Sequence, residues 1–514
     1  MAALLVAMVG CNKEPQQDNP AGIDGKIYMQ FSVNMLTTRT GTDADTDGPG
    51  GNTNSNANPD YEVGFNYENT ISNVDIVLVN GNTRVVADNV IPANAATDTY
   101  VASFNTLDLQ ASTAYKVYIY ANCDNVTDLD AVSEDTITAM TAENNFWMTN
   151  AYEAVTKTLP ADLSLYTVPQ NPLNLGEHYV ERAMARFDYK PNGPYSLGEG
   201  VQVTLTKAAL INQSKAFYML RRVSADGTNN NWTIGGVETL QNFVVDTDYA
   251  DKANGYTAAQ INNFDSHLTA PASWAWKSIV AADLTEEDNW NGTDDGTDDP
   301  LAGTDGKEET TPEHDLDGYY KWQYAKENTI PNAEAQDHGI STGVVFKGQI
   351  TGTAVEAAEG QKIYVFENVL YGKWSDVEAA AADAGNAPAT LVAAVNKIKA
   401  ITAPAAADYA AAGFTGYNQD TDGNYYAYYY YWNRHNDNGN NVVMGPMEFA
   451  VVRNNVYKLC VDKIAKFGHP DPTDPTNPDP DPVDPNDPNE ELNYYFTVTV
   501  KVLPWVVRVN HIEF

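Results

Sequence analysis

The strongest pattern along this chain is strict alternation of apolar and polar residues, and it is cleanest near the two ends. Within Lys26 to Arg39, Ile27, Met29, Phe31, Val33 and Met35 alternate with Tyr28, Gln30, Ser32 and Asn34. A period of two places the apolar set on one face of an extended strand. Asn493 to Phe514 repeats the pattern, with Tyr494, Phe496, Val498, Val500 and Val502 on one side and Tyr495, Thr497, Thr499 and Lys501 on the other. Pro504 has no N–H for a ladder and shifts the phase. Trp505, Val507 and Val509 are therefore expected to form a second segment on the other parity, joined to the first by a kink.

Between these ends the alternation recurs in short runs. Ser72 to Val86 reads as two strands around an Asn80-Gly81-Asn82 hairpin turn, and in Thr113 to Cys123 the residues Tyr115, Val117 and Ile119 share a face. Composition turns to Pro, Asn and Gly from Pro169 to Gly176, which marks a domain boundary. Beyond it, 201–211, 343–350, 362–372, 425–432 and Tyr457 to Val461 read as strands of a second domain. Two helices interrupt them: Ser375 and Glu378 have the spacing of a capping box, and Leu391, Val392, Val395 and Ile398 make an apolar face after Pro388. The expectation is a mainly β protein with a few inserted helices and β-domains over 40–176 and 177–469.

Other stretches carry too little apolar surface to fold. Thr40 to Asp60 is one, and Arg39 stands at its border, where exposed backbone invites an Arg-specific protease to cut before Thr40. Arg84, in the predicted hairpin, is a less exposed alternative. Residues 283–315 form an acidic insertion expected on the surface. Residues 470–491 are an Asp/Pro linker whose recurrent prolines forbid helix and strand. At ~3.1 Å per residue it spans roughly 60 Å, enough to carry 492–514 to its own body or to a neighbour.

A formal charge of -39 argues against binding nucleic acid or anionic membranes. The acidic excess is read as solubility and mutual repulsion. Cys123 and Cys460 lie far apart and read as buried thiols, with no metal spacing. Gly339-Ile340-Ser341-Thr342-Gly343 has the letters of a hydrolase elbow, but a polar stretch precedes it and a strand follows, so Ser341 reads as a turn residue. Asp43, Asp45 and Asp47, like Asn418, Asp420 and Asp422, begin a calcium-loop spacing without completing it. Asp294, Asp295, Asp298 and Asp299 read as a solvated loop. No metal or cofactor is expected. Tyr425 to Trp432 could stack on sugars, and alternation in a half-buried strand explains the same residues.

The start of the chain, an apolar run ending Met8-Val9-Gly10-Cys11, resembles the lipobox of a bacterial lipoprotein over residues 1–11, with Cys11 as the lipidated residue. No Lys or Arg precedes that run, as a start codon placed too late would explain. Cys11, Arg39 after an isolated strand, the GISTGVVFKGQI segment, the tyrosine tract, VVRNNVYKL, the Asp/Pro tract and the ending FTVTVKVLPWVVRVNHIEF, in this order, resemble the Mfa-type fimbrillins, major stalk subunits of the type V pili of Bacteroidota. The resemblance implies two transthyretin-like β-sandwich domains and no catalytic activity. It further implies export to the outer membrane as a lipoprotein through Cys11, and cleavage at Arg39 to remove a propeptide segment, 12–39. The leaving strand, Ile27 to Met35, would be replaced by the C-terminal donor strand pair of another subunit. Its partners would be further copies of the chain in a head-to-tail homopolymer, accessory tip and anchor proteins, an Arg-specific processing protease, and host or bacterial surface receptors. A competing reading from the residues is a monomeric glycan-binding surface lipoprotein whose final strands close its own sheet.

Overall fold

The computed structural model describes residues 25–35, 65–94, 98–123, 129, 132–133, 135–142, 145–225, 232–235, 243–253, 262–284, 319–331, 340–435, 447–472, 496–504 and 508–510. Chain contacts divide it into two units, one made of residues up to 34 with 75–119 and 155–178, the other of 35–74, 120–154 and 179–514. Both are built mainly from strands.

The first unit contains β1 (Lys26–Met35), β2 (Val74–Asn80), β3 (Thr83–Val86), β4 (Asn89–Asn94), β5 (Thr99–Asn105), β6 (Ala114–Ala121), β7 (Thr156–Thr158) and the start of β8 (Leu173–Arg182). The β2–β3 turn falls where the sequence places it, with Gly81 at φ +55°, a conformation that glycine reaches without steric cost. In the sheet, β3, β2 and β6 are successive neighbours with β7 paired to β6, and β8, β1, β5 and β4 are successive neighbours. The N-terminal strand therefore lies inside a sheet, flanked on both sides. Its partner β5 is antiparallel, with Ile27 opposite Phe104, Met29 opposite Ala102 and Phe31 opposite Tyr100.

In the second unit two sheets share one core. The first runs β11 (Tyr320–Ala325), β9 (Ala185–Lys190), β14 (Asn455–Ile464), β15 (Phe496–Pro504) and β16 (Arg508–Asn510). The second includes β10 (Val201–Ile211), β12 (Gly343–Thr351) and β13 (Tyr425–Trp432). Phe187, Tyr457 and Leu459 from one sheet and Val203, Phe346 and Tyr429 from the other belong to the same buried cluster. A Cβ on Gly348 would stand 2.6 Å from Val203 Cγ1, so close packing of β12 on β10 requires glycine there.

Helices α1 (Trp374–Ala382), α2 (Ala389–Lys399) and α3 (Ala406–Ala411) follow. Leu391, Val395 and Ile398 of α2 are buried with Val377 of α1, as the helical period requires. The expected capping box does not form: Lys373 is the N-cap, no side chain caps the helix, and Ser375 already lies inside it. The tryptophan ahead of the serine explains this, because starting the helix two residues earlier packs Trp374 on Phe414, 5.1 Å between ring centres.

Candidate functional site

The seat of β1 in the first unit is built by alternation alone. Ile27, Met29, Phe31 and Val33 are each at most 1% exposed, while Met35 at the strand's end is only partly buried. Burying four such side chains contributes at most ~6–12 kcal/mol. Phe31 stacks on Tyr100 at 5.8 Å and meets the edge of His178 at 6.3 Å. The start of the strand is fastened where Thr106 donates its N–H and its hydroxyl to the Gly25 carbonyl, and its far end where Val33 N–H donates to the Asp98 carbonyl. Burial, with the nearby Asp98 carboxylate, pushes the Tyr100 hydroxyl up to about 12.

Cys11, Arg39, Thr40, Tyr494, Trp505 and Val507 lie outside the described residues, as do Asp43, Asp45, Asp47 and the acidic insertion from 285 onward. Described structure resumes at Phe65, and it is strongly anchored within the second unit. Glu68 is fully buried and accepts hydrogen bonds from Arg186 Nη1 at 2.9 Å, from the Phe65 N–H at 2.8 Å and from the Tyr324 hydroxyl. Arg186 also binds Asp188 at 2.8 Å. The sequence reading missed this cluster, since nothing local distinguishes Glu68 from a solvated acid. Arg84, the alternative cleavage point, is exposed on β3.

At the other end, β15 carries Phe496, Val498, Val500 and Val502 and pairs antiparallel with β14. Val500 lies opposite Leu459, Val498 opposite Val461 and Val502 opposite Tyr457. Strand β16, with Val509, returns antiparallel along β15, Lys501 opposite Val509. The expected kink at Pro504 is instead the end of a strand in an antiparallel pair. A proline costs no ladder bond at that terminal position.

The remaining candidates resolve into structural roles. Ser341 is fully buried in a turn that leads into β12, with its carbonyl accepting from Asn212 Nδ2 at 2.9 Å, and no helix follows it. Asp420 binds Lys347 at 2.7 Å and Asp422 accepts from the Tyr426 hydroxyl at 2.6 Å, bonds that hold both carboxyls below the usual range. In β13, Tyr425, Ala427, Tyr429 and Tyr431 face the core, and Tyr426, Tyr428 and Tyr430 are half-buried. These outer rings already have neighbours: Lys347 Nζ over Tyr426 at 3.8 Å, Trp276 6.0 Å from Tyr428 and Trp274 6.4 Å from Tyr430. A cleft of about 400 Å³ at the start of β13, beside Tyr425, is lined by Gln349, Glu356, Glu359, Gln419 and Asn424, with neither glutamate buried. Cys123 and Cys460 are buried and unbridged. No helix among the described residues is long and apolar enough to cross a membrane.

Residues 423–511 match the family of the major fimbrial subunit protein type IV, fimbrillin, C-terminal. This end of the chain is similar to the fimbrillin C-terminal region. The fimbrillin match begins at the turn before β13, takes in β14 and the Asp/Pro tract, and ends just beyond β16. The family is one of fimbrial structural subunits rather than enzymes, and over this stretch the match supports the resemblance read from the sequence. No curated protein matches the sequence. Among solved structures, a fimbrilin from Porphyromonas gingivalis is 14% identical, with 94% of this chain and 98% of that one covered at a TM-score of 0.37. A candidate cell adhesion protein from Parabacteroides distasonis is 12% identical over 95% and 99%, at 0.38. The tip fimbrial protein Mfa3 of Porphyromonas gingivalis is 9% identical over 93% and 100%, at 0.33. Likenesses this loose establish neither fold nor function.

Proposed function

We propose that this chain is the stalk subunit of a surface fimbria, exported as a lipoprotein through Cys11 and activated by cleavage after Arg39. The final strands of one copy then take the place of β1 in the next, giving a head-to-tail filament. One observation carries the reading: the segment that cleavage at Arg39 would free is an interior strand, with four side chains at most 1% exposed. Its loss leaves unpaired backbone on both β8 and β5 and an apolar groove between them. Supporting this, the chain beyond the cut is held independently through Glu68. The fimbrillin match covers the strand pair offered as donor. Tip and anchor proteins, and receptors on host or bacterial surfaces, follow as partners of such a stalk.

A second reading has a specific observation behind it. Strand β15 is docked on β14 of its own chain, as expected of a monomer whose last strands close its own sheet and which binds glycans through the outer face of β13. The two readings separate in one experiment. The purified chain is treated with an Arg-specific protease and followed on denaturing gels without heating. Assembly predicts ladders of multimers, lost on Arg39→Ala and on deletion of 493–514. Monomers only, from a chain shown to be cut at Arg39, would remove the assembly reading.

A further inference from the structure

His178 is 2% exposed in the first unit, and neither ring nitrogen has a hydrogen-bond partner among the described residues. It reaches the interior because β8 changes parity. Leu173 and Leu175 are buried, then Gly176 adopts φ +97°, and after it His178 and Val180 are buried between the exposed Glu177 and Tyr179. A Cβ at Gly176 would touch nothing, so the backbone conformation demands glycine, as at a bulge that re-aims a side chain. The ring then lies edge-on to Phe31 of β1, the strand beside β8 in the sheet.

We propose that His178 is an acid-sensitive latch on β1: the strand stays seated only over a neutral imidazole, and protonation of the ring loosens it. A neutral imidazole tolerates an apolar, partnerless site far better than an imidazolium, which must shed its hydration without gaining an acceptor. The surroundings offer no compensation. Lys157 on β7 repels the proton, β1 presents Phe31, and Tyr100 on β5 stands behind that ring with Asp98 acting on Tyr100. On β8 itself, Glu177 and Tyr179 point outward. Burial, reinforced by Lys157, accordingly pushes His178 down from 6.5 to about 4.

The sign follows from linkage. The folded value is depressed, so the open state binds the proton more tightly, and stability is lost as pH falls through 6.5 toward 4. At pH 5 the equilibrium shifts toward the open seat by about 20-fold relative to neutral pH. The consequence for assembly, faster exchange of a cleaved β1 in mildly acidic surroundings, rests on the function proposed above. The acid sensitivity of the seat does not.

Hydrogen exchange of residues 26–34 in the uncleaved full chain, corrected for intrinsic exchange at pH 7.4 and 5.0, tests the latch. Protection should fall about 25-fold on acidification in the native chain and hold in His178→Phe, which keeps a ring against Phe31 but cannot titrate. Protection unchanged in the native chain, or lost equally in His178→Phe, overturns the proposal. Should His178→Phe not fold, Lys157→Glu replaces it: trading repulsion for attraction lets the seated ring carry the proton, so the loss of protection between pH 7.4 and 5.0 must shrink, and a loss as large as the native chain's overturns the latch. If acid loosens β1 but chains cut at Arg39 never assemble, the latch stands and the assembly reading falls.

Discussion

Glu68 shows how much one side chain decides in this protein. Its carboxylate joins a short turn of chain to Arg186, 118 residues away, inside a fully buried ion pair. Removing one partner of such a pair leaves an uncompensated charge out of water, at a cost of about 3–5 kcal/mol. Glu68→Gln should therefore lower the unfolding free energy of the second unit by that amount, read by urea titration with intrinsic tryptophan fluorescence. A shift under ~1 kcal/mol would mean that the carboxylate is dispensable. Lys252 poses the same problem, bonded to both Asp246 at 2.6 Å and Asp248 at 2.8 Å with no exposed side-chain area. In β1, Phe31→Ala removes a fully buried ring and should cost about 3–5 kcal/mol. Here the loss is local, so it should appear as faster exchange across β1 while the second unit's unfolding stays where it was.

At the scale of elements, the alternation of β1 and β13 was legible because period two is a property of the local chain, and every buried position in β1 is one that the pattern names. The capping box was misread because a Ser-to-Glu spacing says nothing of whether Trp374 prefers to start the helix earlier. The parity change in β8 was hidden for a related reason: a glycine inside a strand does not announce its φ. Close contact between strands sets limits of its own. Gly348→Ala pushes a methyl against Val203 between β12 and β10, and overpacking of this kind costs about 1–3 kcal/mol. Thermal melting of the variant should show it, and an unchanged melting temperature would mean that the strands can separate without penalty.

Over the whole molecule, the charge of -39 bears on the proposed assembly more than on folding. Copies joined head to tail must bring like-charged bodies together, and the repulsion is screened over about 10 Å at 0.1 M salt. Ladder formation after cleavage should therefore accelerate with sodium chloride between 0.02 and 0.5 M, as densitometry of gel bands over time would record. Slower assembly at high salt would mean that specific ion pairs, rather than general repulsion, govern the encounter.

The sequence by itself determined the mainly β class, the two terminal strands and the β2–β3 turn, all consequences of local period and turn chemistry. Tertiary structure decided what those elements touch. It placed β1 in the interior of a sheet, turned His178 inward beneath it, sank Glu68 onto Arg186 and laid β15 along β14. Alternation gives a strand a face to bury but does not name its neighbour, because pairing across long stretches of chain is selected by the packing of all faces together.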